Sequence, residues 1–176
     1  MVTAEEVREL VAAVPDPEIP VLTIGDLGVL RTVDVGDSGR VEVTITPTYT
    51  GCPAMEAIRA DIETSLRRHG IDDVSVRTVL APAWTTDWMS ESGRRKLAEF
   101  GIAPPAHPAR PALGPAPGPA QGPGPGRVPV PVELAVRCPR CGSFDTLVVS
   151  RWGSTACKAQ YRCTACLEPF DYFRVH

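Results

Sequence analysis

Two Cys-x-x-Cys pairs near the C-terminus have the residue type and spacing best suited to chemistry in this sequence. Cys138 and Cys141 form the first pair, and Cys163 and Cys166 form the second. Four thiols at this spacing can converge as a tetrahedral set of thiolates around one metal ion. Zinc is the favoured metal, although four thiolates also bind iron. Because four thiolates leave no open coordination position, the pattern predicts a structural site rather than a catalytic one.

Two further cysteines, Cys52 and Cys157, lie outside these pairs. Cys52 precedes Pro53 at the predicted start of a helix, where backbone amides and the helix dipole favour a thiolate. The position predicts a lowered pKa and raised metal affinity or nucleophilicity, although packing in a tight Gly-Cys-Pro turn fits equally well. Cys157 is open to three interpretations: a reserve ligand, a redox-active thiol or an ordinary core residue.

Three acidic residues also lie in positions that could support chemistry. Asp16 and Glu18 are in a loop stiffened by prolines, and Asp26 precedes a Leu-Gly pair. Carboxylates held in this way can act as hard oxygen ligands or as proton acceptors. Without a further signal, a solvated loop is the favoured interpretation of each.

A complete catalytic set is not present in the sequence. The histidines are His69, His107 and His176, and sequence argument places none of them near Cys52, so a Cys-His hydrolase is weakly supported. The sequence also lacks a Gly-rich phosphate loop and a dinucleotide fingerprint. We therefore expect a protein that is not itself an enzyme.

The composition is typical of one or two small soluble domains. The chain has 176 residues and a formal net charge of -3, and no apolar run approaches the roughly 18–20 residues of a membrane-spanning helix. The acidic N-terminus lacks an apolar signal core, so we expect a cytoplasmic protein whose cysteines bind metal or react rather than form disulfides. Residues 1–102 carry 17 acidic and 10 basic side chains, which argues against nucleic-acid binding.

A proline- and glycine-rich stretch divides the chain into two predicted domains. Residues 103–132 contain 11 of the 19 prolines and five glycines. Proline removes backbone donors and glycine raises the entropic cost of ordering, so this stretch predicts an extended, disordered spacer. The predicted domains are residues 1–102 and residues 133–176.

The N-terminal region is predicted to be a two-layer α+β domain with the element order α-β-β-α-β-α. Thr3 to Glu6 form a capping-box pattern, and Thr86 can cap the last helix. Trp84 and Trp88 predict either an exposed partner surface or closure of the small core. The predicted elements are a helix that begins after Thr3, strands over Val29–Val35 and Val41–Ile45, a helix from Pro53 to Gly70, a strand over Val74–Leu80 and a helix over Asp87–Phe100.

The tail is predicted to be a three-stranded zinc ribbon, with strands over Phe144–Val149, Ala159–Arg162 and Phe170–Val175. Because so short a segment can bury only a small apolar core, we expect a structural metal to supply the missing stability. Gly142 tolerates the tight turn after the first cysteine pair, whereas Leu167 follows the second pair.

Several segments resemble a known family when they are taken together. Three of them resemble the MIP18 (DUF59) iron–sulfur assembly domain, and the others are similar to the PaaD family of accessory subunits of the phenylacetyl-CoA epoxidase system. The spacer lies outside the resemblance and is unusually long. The segments are Asp16-Pro17-Glu18-Ile19-Pro20, Ile24-Gly25-Asp26-Leu27-Gly28 and residues 46–55 for the first family, and residues 82–89, 101–105, 153–159 and 163–173 for the second.

The resemblance implies a role in aerobic phenylacetate degradation, in maturing the epoxidase rather than in epoxidation. Cys52 stands at the characteristic cysteine of the assembly family, which implies a transient iron or cluster ligand assisted by Asp16 or Glu18. The expected cofactors are one structural zinc on the four tail cysteines and a transient iron or iron–sulfur group. The expected partners are the oxygenase or the iron–sulfur reductase subunits of the epoxidase, without nucleic acid or membrane. This chain itself has no Glu-x-x-His pairs for a di-iron site.

Coordination chemistry limits what Cys52 can do. A [2Fe–2S] cluster normally takes four cysteine thiolates, so a cluster at Cys52 must be shared by two chains of a homodimer, completed by a partner or small thiol, or held only in passing. The alternative function is a docking or scaffold subunit of the same complex, in which the ribbon contacts the oxygenase and Cys52 has no role in binding.

Overall fold

The computed structural model describes residues 3–105 and 136–174. The predicted spacer, apart from residues 103–105, lies outside the described residues. None of the helices in the described ranges is both long and apolar enough to cross a bilayer. The fold is α+β, as predicted.

A three-stranded sheet and two long helices form the N-terminal core. Strands β1 (Leu30–Val35) and β2 (Val41–Ile45) form an antiparallel hairpin, and β3 (Val74–Thr78) pairs with β2 in parallel. Helices α1 (Ala4–Ala12) and α3 (Ala54–Arg68) pack against each other and against the sheet. The alternating apolar residues of β2 and one apolar side of α3 meet in the core, as period-2 and helical spacing predict. The buried residues in these two elements are Val41, Val43, Ile45, Ile58, Ile62 and Leu66.

A short helix that the sequence pattern did not predict follows the acidic loop. This helix, α2 (Ile24–Leu27), begins with a capping box in which Thr23 and Asp26 bond each other's backbone amides. Gly28 ends it with a left-handed φ of 69°, and a Cβ there would collide with the Trp88 carbonyl oxygen. Only glycine permits both the conformation and this close approach.

The last helix of the N-terminal region begins later than predicted. Thr86–Trp88 forms a 3₁₀ turn, and Met89 then takes an extended conformation. Helix α4 therefore covers Glu91–Phe100, and the Ser90 hydroxyl accepts a hydrogen bond from the Gly93 amide. The prediction of a helix from Asp87 capped by Thr86 was wrong because a second N-cap, Ser90, lies four residues further on.

The tail strands form a sheet that continues into the N-terminal region. Strands β5 (Thr146–Ser150), β6 (Lys158–Cys163) and β7 (Pro169–Phe173) are antiparallel, as a ribbon requires. A fourth strand, β4 (Ile102–Ala103), comes from the residues just after α4 and pairs in parallel with β7. The strand order is β4-β7-β6-β5, so the predicted three-stranded ribbon is extended by one strand.

An aromatic contact fixes the tail against the N-terminal core. The Phe173 ring packs edge-on against Trp84, with 6.2 Å between ring centroids. Trp84 is buried, and its indole nitrogen donates a hydrogen bond to the Leu27 carbonyl oxygen at 2.8 Å. Trp84 therefore closes the core rather than forming an exposed surface. Trp88 is half-buried beneath the Arg31 guanidinium, 3.5 Å from its ring centroid.

Asp26 is the polar junction between α2 and α4. Its carboxylate accepts hydrogen bonds from the Thr23 amide, the Ser90 hydroxyl and the Lys96 ammonium, the last at 2.6 Å. Burial opposes ionisation, but these donors outweigh it and hold the pKa of Asp26 below its ordinary value. Asp26 is thus a structural residue that joins the two helices.

We expect Asp26→Asn to lower the free energy of unfolding at pH 7 by about 1–2 kcal/mol, because it removes charge-assisted hydrogen bonds. A carboxylate whose pKa is lowered on folding stabilises the protein above its unfolded pKa, close to 3.8, and this contribution disappears as the pH falls through the folded pKa. The difference between wild type and variant should therefore shrink at acidic pH in denaturant unfolding. Asp37→Asn, in the exposed β1–β2 turn, is the matched control; an equal loss in both variants would contradict this role.

Candidate functional site

The four tail cysteines converge on one point. Their sulfur atoms all lie within 4.8 Å of one another, with 3.8 Å between Cys138 and Cys166 and 3.5 Å between Cys141 and Cys163. In the described ranges this is the one set of three or more His, Cys, Asp or Glu side chains that meets that limit. Four soft sulfur donors without an oxygen donor fit a metal such as zinc or iron rather than magnesium or calcium.

Two tight turns hold these cysteine pairs. The Gly142 amide donates to the Cys138 carbonyl oxygen at 2.9 Å, and Gly142 has a φ of 79°. Leu167 takes the corresponding left-handed conformation after the second pair, with a φ of 67°, which costs a residue with a Cβ about 1 kcal/mol. Such strain persists where the surroundings impose it, and four thiolates on one ion would impose it here.

The acidic loop before α2 is held by Asp16. Its carboxylate accepts hydrogen bonds from the Glu18 and Ile19 amides at 2.9 and 2.7 Å. Burial raises the pKa of Asp16, while these two amides and the positive charge of Lys158 oppose the rise. Asp16 therefore holds the backbone of the loop in place, and this fixes the position of the half-buried Glu18.

Cys52 lies just before the first turn of α3 and is half-buried. Burial raises its pKa; the Ala54 amide opposes this effect, and the negative charges of Glu18 and Asp16 add to it. The prediction of a lowered pKa was wrong. The hydrogen bond from the amide at the helix start lowers the pKa by less than burial and the two nearby carboxylates together raise it. The thiol is therefore protonated at neutral pH in this protein without metal.

Tyr49 joins Cys52 to the acidic loop. The Cys52 amide donates to the Tyr49 carbonyl oxygen at 3.2 Å, and the phenol forms a hydrogen bond with the Cys52 thiol. Burial raises the pKa of the phenol, and the neighbouring charges of Cys52, Glu18 and Cys157 raise it further. One phenol therefore lies within electrostatic range of two thiols and a carboxylate.

Cys157 reaches this site from the tail. Its thiol donates to the Glu18 carboxylate at 3.6 Å and contacts the Thr155 hydroxyl at 3.0 Å. Burial raises the pKa of Cys157 to about 11, and the charge of Glu18 contributes to that rise. Cys157 and Cys52 both belong to the packing of the N-terminal core, whereas Cys138 and Cys163 lie in the smaller core of the tail.

The structure places most of the residues selected from the sequence in two groups, whereas Asp26 lies apart at the junction of α2 and α4. Asp16 and Glu18 lie within electrostatic range of Cys52, and the four tail cysteines form a separate set. Tyr49 and Cys157 were not assigned to the first cluster from the sequence. Tyr49 could have been, since it lies three residues before Cys52 in the same turn. Cys157 could not, because only the packing of the tail brings it there.

The histidines do not join either cluster. His69 is exposed near the end of α3, where its Nδ1 lies 2.8 Å from the Ser65 carbonyl oxygen. His107 and His176 lie outside the described residues.

Two family models match the chain. The model for iron–sulfur cluster assembly protein matches residues 4–79, and the model for the PaaD zinc beta ribbon domain matches residues 123–174. These matches define the class, which is an iron–sulfur assembly domain followed by a zinc ribbon domain. The chain also shares 46% identity over 170 residues with an Escherichia coli (strain K12) protein named as a putative subunit of 1,2-phenylacetyl-CoA epoxidase, covering 96% of this chain and 91% of that protein. The chain therefore belongs to the PaaD family.

The N-terminal region has relatives of its own. It is 38% identical over 96 residues to a protein of Porphyromonas gingivalis named Fe-S protein maturation auxiliary factor, covering 54% of this chain and 90% of that protein. Its fold is similar to the crystal structure of a DUF59 domain of unknown function from Bacillus anthracis, with a TM-score of 0.51 and 26% identity, covering 53% of this chain and 90% of that one. Both comparisons match half of this chain and nearly all of the relative.

We expect removal of metal from the four tail cysteines to unfold the two cysteine turns. Binding of a structural zinc supplies about 10 kcal/mol or more, and the tail core around Cys138 and Cys163 is small. Chelation, or Cys163→Ser, should abolish hydrogen-exchange protection of β5 and β6 while α1 and α3 stay protected. Cys52→Ser is the control and should leave tail protection unchanged. A metal-free tail with full protection would show that the metal is not structural.

Proposed function

We propose that this protein assists assembly of an iron or iron–sulfur centre of a phenylacetyl-CoA epoxidase and does not carry out epoxidation itself. The observation that carries the proposal is the cluster of Cys52, Glu18 and Tyr49 in a domain that matches an iron–sulfur assembly family. The similarity to a protein named as part of such an epoxidase supports the choice of that epoxidase as the client, the protein that receives the iron or cluster.

Cys52 is the ligand of the transient iron or cluster in this proposal. A thiolate is a soft donor that iron–sulfur groups prefer, and Glu18 adds an oxygen donor at the same place. Asp16 assists by holding the loop, because its Oδ1 atom accepts hydrogen bonds from two backbone amides of that loop. Cys52 is half-buried, so a group bound there would be partly shielded from solvent.

The tail cysteines hold one structural zinc in this proposal. Four converging thiolates would fill the coordination sphere of the ion and leave no position for substrate. The zinc would stabilise the tail, whose β7 strand pairs with β4 next to the N-terminal core. The same set also accepts iron, so metal analysis of the purified protein decides between them.

The test replaces Cys52 in cells that lack this protein. We expect Cys52→Ala to leave the oxygenase and reductase subunits present but deficient in iron or in iron and sulfide, with a loss of epoxidase activity of at least about 10-fold, the usual minimum when a metal site is disrupted. Iron and acid-labile sulfide in each purified subunit would be measured beside wild type. Zinc content and unfolding temperature of the variant serve as folding controls. A fully metallated, active epoxidase in the Cys52→Ala cells would refute the proposal.

A docking role is the second candidate function, and the tail sheet carries the observation that favours it. Strand β5 is the edge of that sheet, and several of the apolar side chains in and beside it are exposed to solvent. Exposed edge strands and apolar patches favour association with another protein. The side chains are Phe144, Leu147, Val149 and Trp152, which are between 46% and 66% exposed.

We expect Trp152→Ala together with Val149→Asp to weaken binding to the epoxidase subunits by about 10-fold or more, since large exposed aromatics dominate interface energies. Co-purification and titration of the purified complex would measure this. Leu80→Asp alters an exposed apolar residue of the N-terminal region and is the matched control. Binding that is lost in the tail variant but kept in Cys52→Ala would assign docking to the tail; unchanged binding would remove the docking role from β5.

A further inference from the structure

We propose that a cavity between helix α4 and the turn that holds Cys138 and Cys141 binds a small carboxylic acid with an apolar body. The cavity has a volume of about 680 Å³, which lies within the range of pockets that hold small organic ligands. None of its lining residues belongs to the acidic loop or to the turn at Cys52, so this inference does not depend on the proposed function.

The N-terminal region and the tail build this cavity together. Helix α4 and the chain just after β4 form one side, and the tail forms the other. The second cysteine pair does not line the cavity, which is therefore distinct from the space between the four thiols. The lining residues used below are Arg94, Ala98, Pro104, Pro105, Arg137 and Phe144.

Arg94 is the residue that indicates a ligand. Its side chain is only 8% exposed, and its two terminal nitrogens donate to the carbonyl oxygens of Pro105 and Thr86 at 2.7 and 2.5 Å. Its Nε atom is also buried but has no hydrogen-bond partner among the described residues. A buried donor without an acceptor is costly, so an acceptor atom supplied by a ligand in the cavity would be stabilising.

The charge of Arg94 points to the same kind of ligand. Arg94 forms no ion pair in the described ranges; burial lowers its pKa, and the charges of Asp87 and Glu91 oppose that shift only from a distance. Buried arginines are normally paired with an anion. Arg137 brings a second positive charge to the cavity, and its Nε donates to the Gly142 carbonyl oxygen at 3.0 Å, a bond that does not use its two terminal nitrogens. The cavity therefore favours an anion.

The donors and the walls together define the class of ligand. A phosphate group carries close to two charges and accepts several hydrogen bonds, whereas one buried Nε–H and one exposed guanidinium suit a single carboxylate. The walls beside these donors are apolar, with the rings of Pro104, Pro105 and Phe144 among them. Phe144 is 60% exposed, so a ligand with an apolar body would cover surface that otherwise faces solvent.

Phenylacetate is a suitable probe because it combines one carboxylate with one ring. It is titrated by calorimetry into the full-length, zinc-loaded protein, and the unfolding temperature is measured with and without it, since a ligand of the folded state raises that temperature. We expect saturable binding of one molecule per chain with a Kd of about 1 mM or tighter, as suits a ligand of this size. Phenylacetamide has the same ring without the charge and should bind at least about 10-fold more weakly, because it forms no charge-assisted hydrogen bond.

Three variants test the position of the site. Arg94→Met removes the charge and the Nε–H but keeps an unbranched side chain, and Ala98→Leu fills part of the cavity from the half-buried side of α4. Each should weaken phenylacetate binding at least about 10-fold, through the lost charge-assisted hydrogen bond in the first and overpacking in the second. Arg95→Gln removes the same charge from an exposed position of the same helix and is the matched control, which should bind as wild type does.

The outcomes decide the inference. The absence of saturable binding to wild type, equal binding of phenylacetamide, or an equal loss in Arg94→Met and Arg95→Gln would overturn it. Arg94→Met also loses two hydrogen bonds to carbonyl oxygens, so if it fails to fold, Ala98→Leu decides alone. Unchanged binding in either folded cavity variant would overturn the site. Loss of binding in a variant that keeps its zinc content and its unfolding temperature without ligand supports it.

Discussion

The packing of Phe173 on Trp84 is the contact on which the rest of the structure depends. It attaches the last tail strand to the N-terminal core, and the hydrogen bond from Trp84 to the Leu27 carbonyl oxygen fixes the indole at the end of α2. Pairing of β4 with β7 adds backbone hydrogen bonds to the same junction. Because the loop with Cys157 is bonded to the chain next to Phe173, this junction also sets the distance from Cys157 to Glu18.

Burial at this junction disfavours the charged forms of the side chains that lie there. The pKa values of Asp16, Cys52 and Cys157 are all raised, and burial is the largest cause in each case. The site is therefore held with its thiols protonated, and the protein is spared two uncompensated buried thiolates. A cation reverses this balance, since metal coordination stabilises the thiolate form.

Local sequence signals predicted most of the elements but not the junction. The capping box at Thr3, the β1–β2 hairpin and the apolar side of α3 follow from patterns within a few residues, and all three are present. Helix α2 was missed because four residues are too few for periodicity, and the start of α4 was wrong because Thr86 and Ser90 are both suitable caps. Convergence of the four tail cysteines followed from their spacing. The place of Cys157 did not, since it depends on contacts across 139 residues.

The two thiol clusters differ in a way that matches different tasks. Four thiolates within 4.8 Å of one another can close the coordination sphere of an ion, so an ion bound there exchanges slowly and contributes to folding. The proposed site at Cys52 would offer fewer protein ligands, one thiolate and the Glu18 carboxylate, which is a harder and weaker donor to iron–sulfur groups. An incomplete sphere lets an incoming thiolate bind before an existing one leaves. If Cys52 and Glu18 hold iron as proposed, they would leave positions for a client thiolate, which a closed four-thiolate site would not.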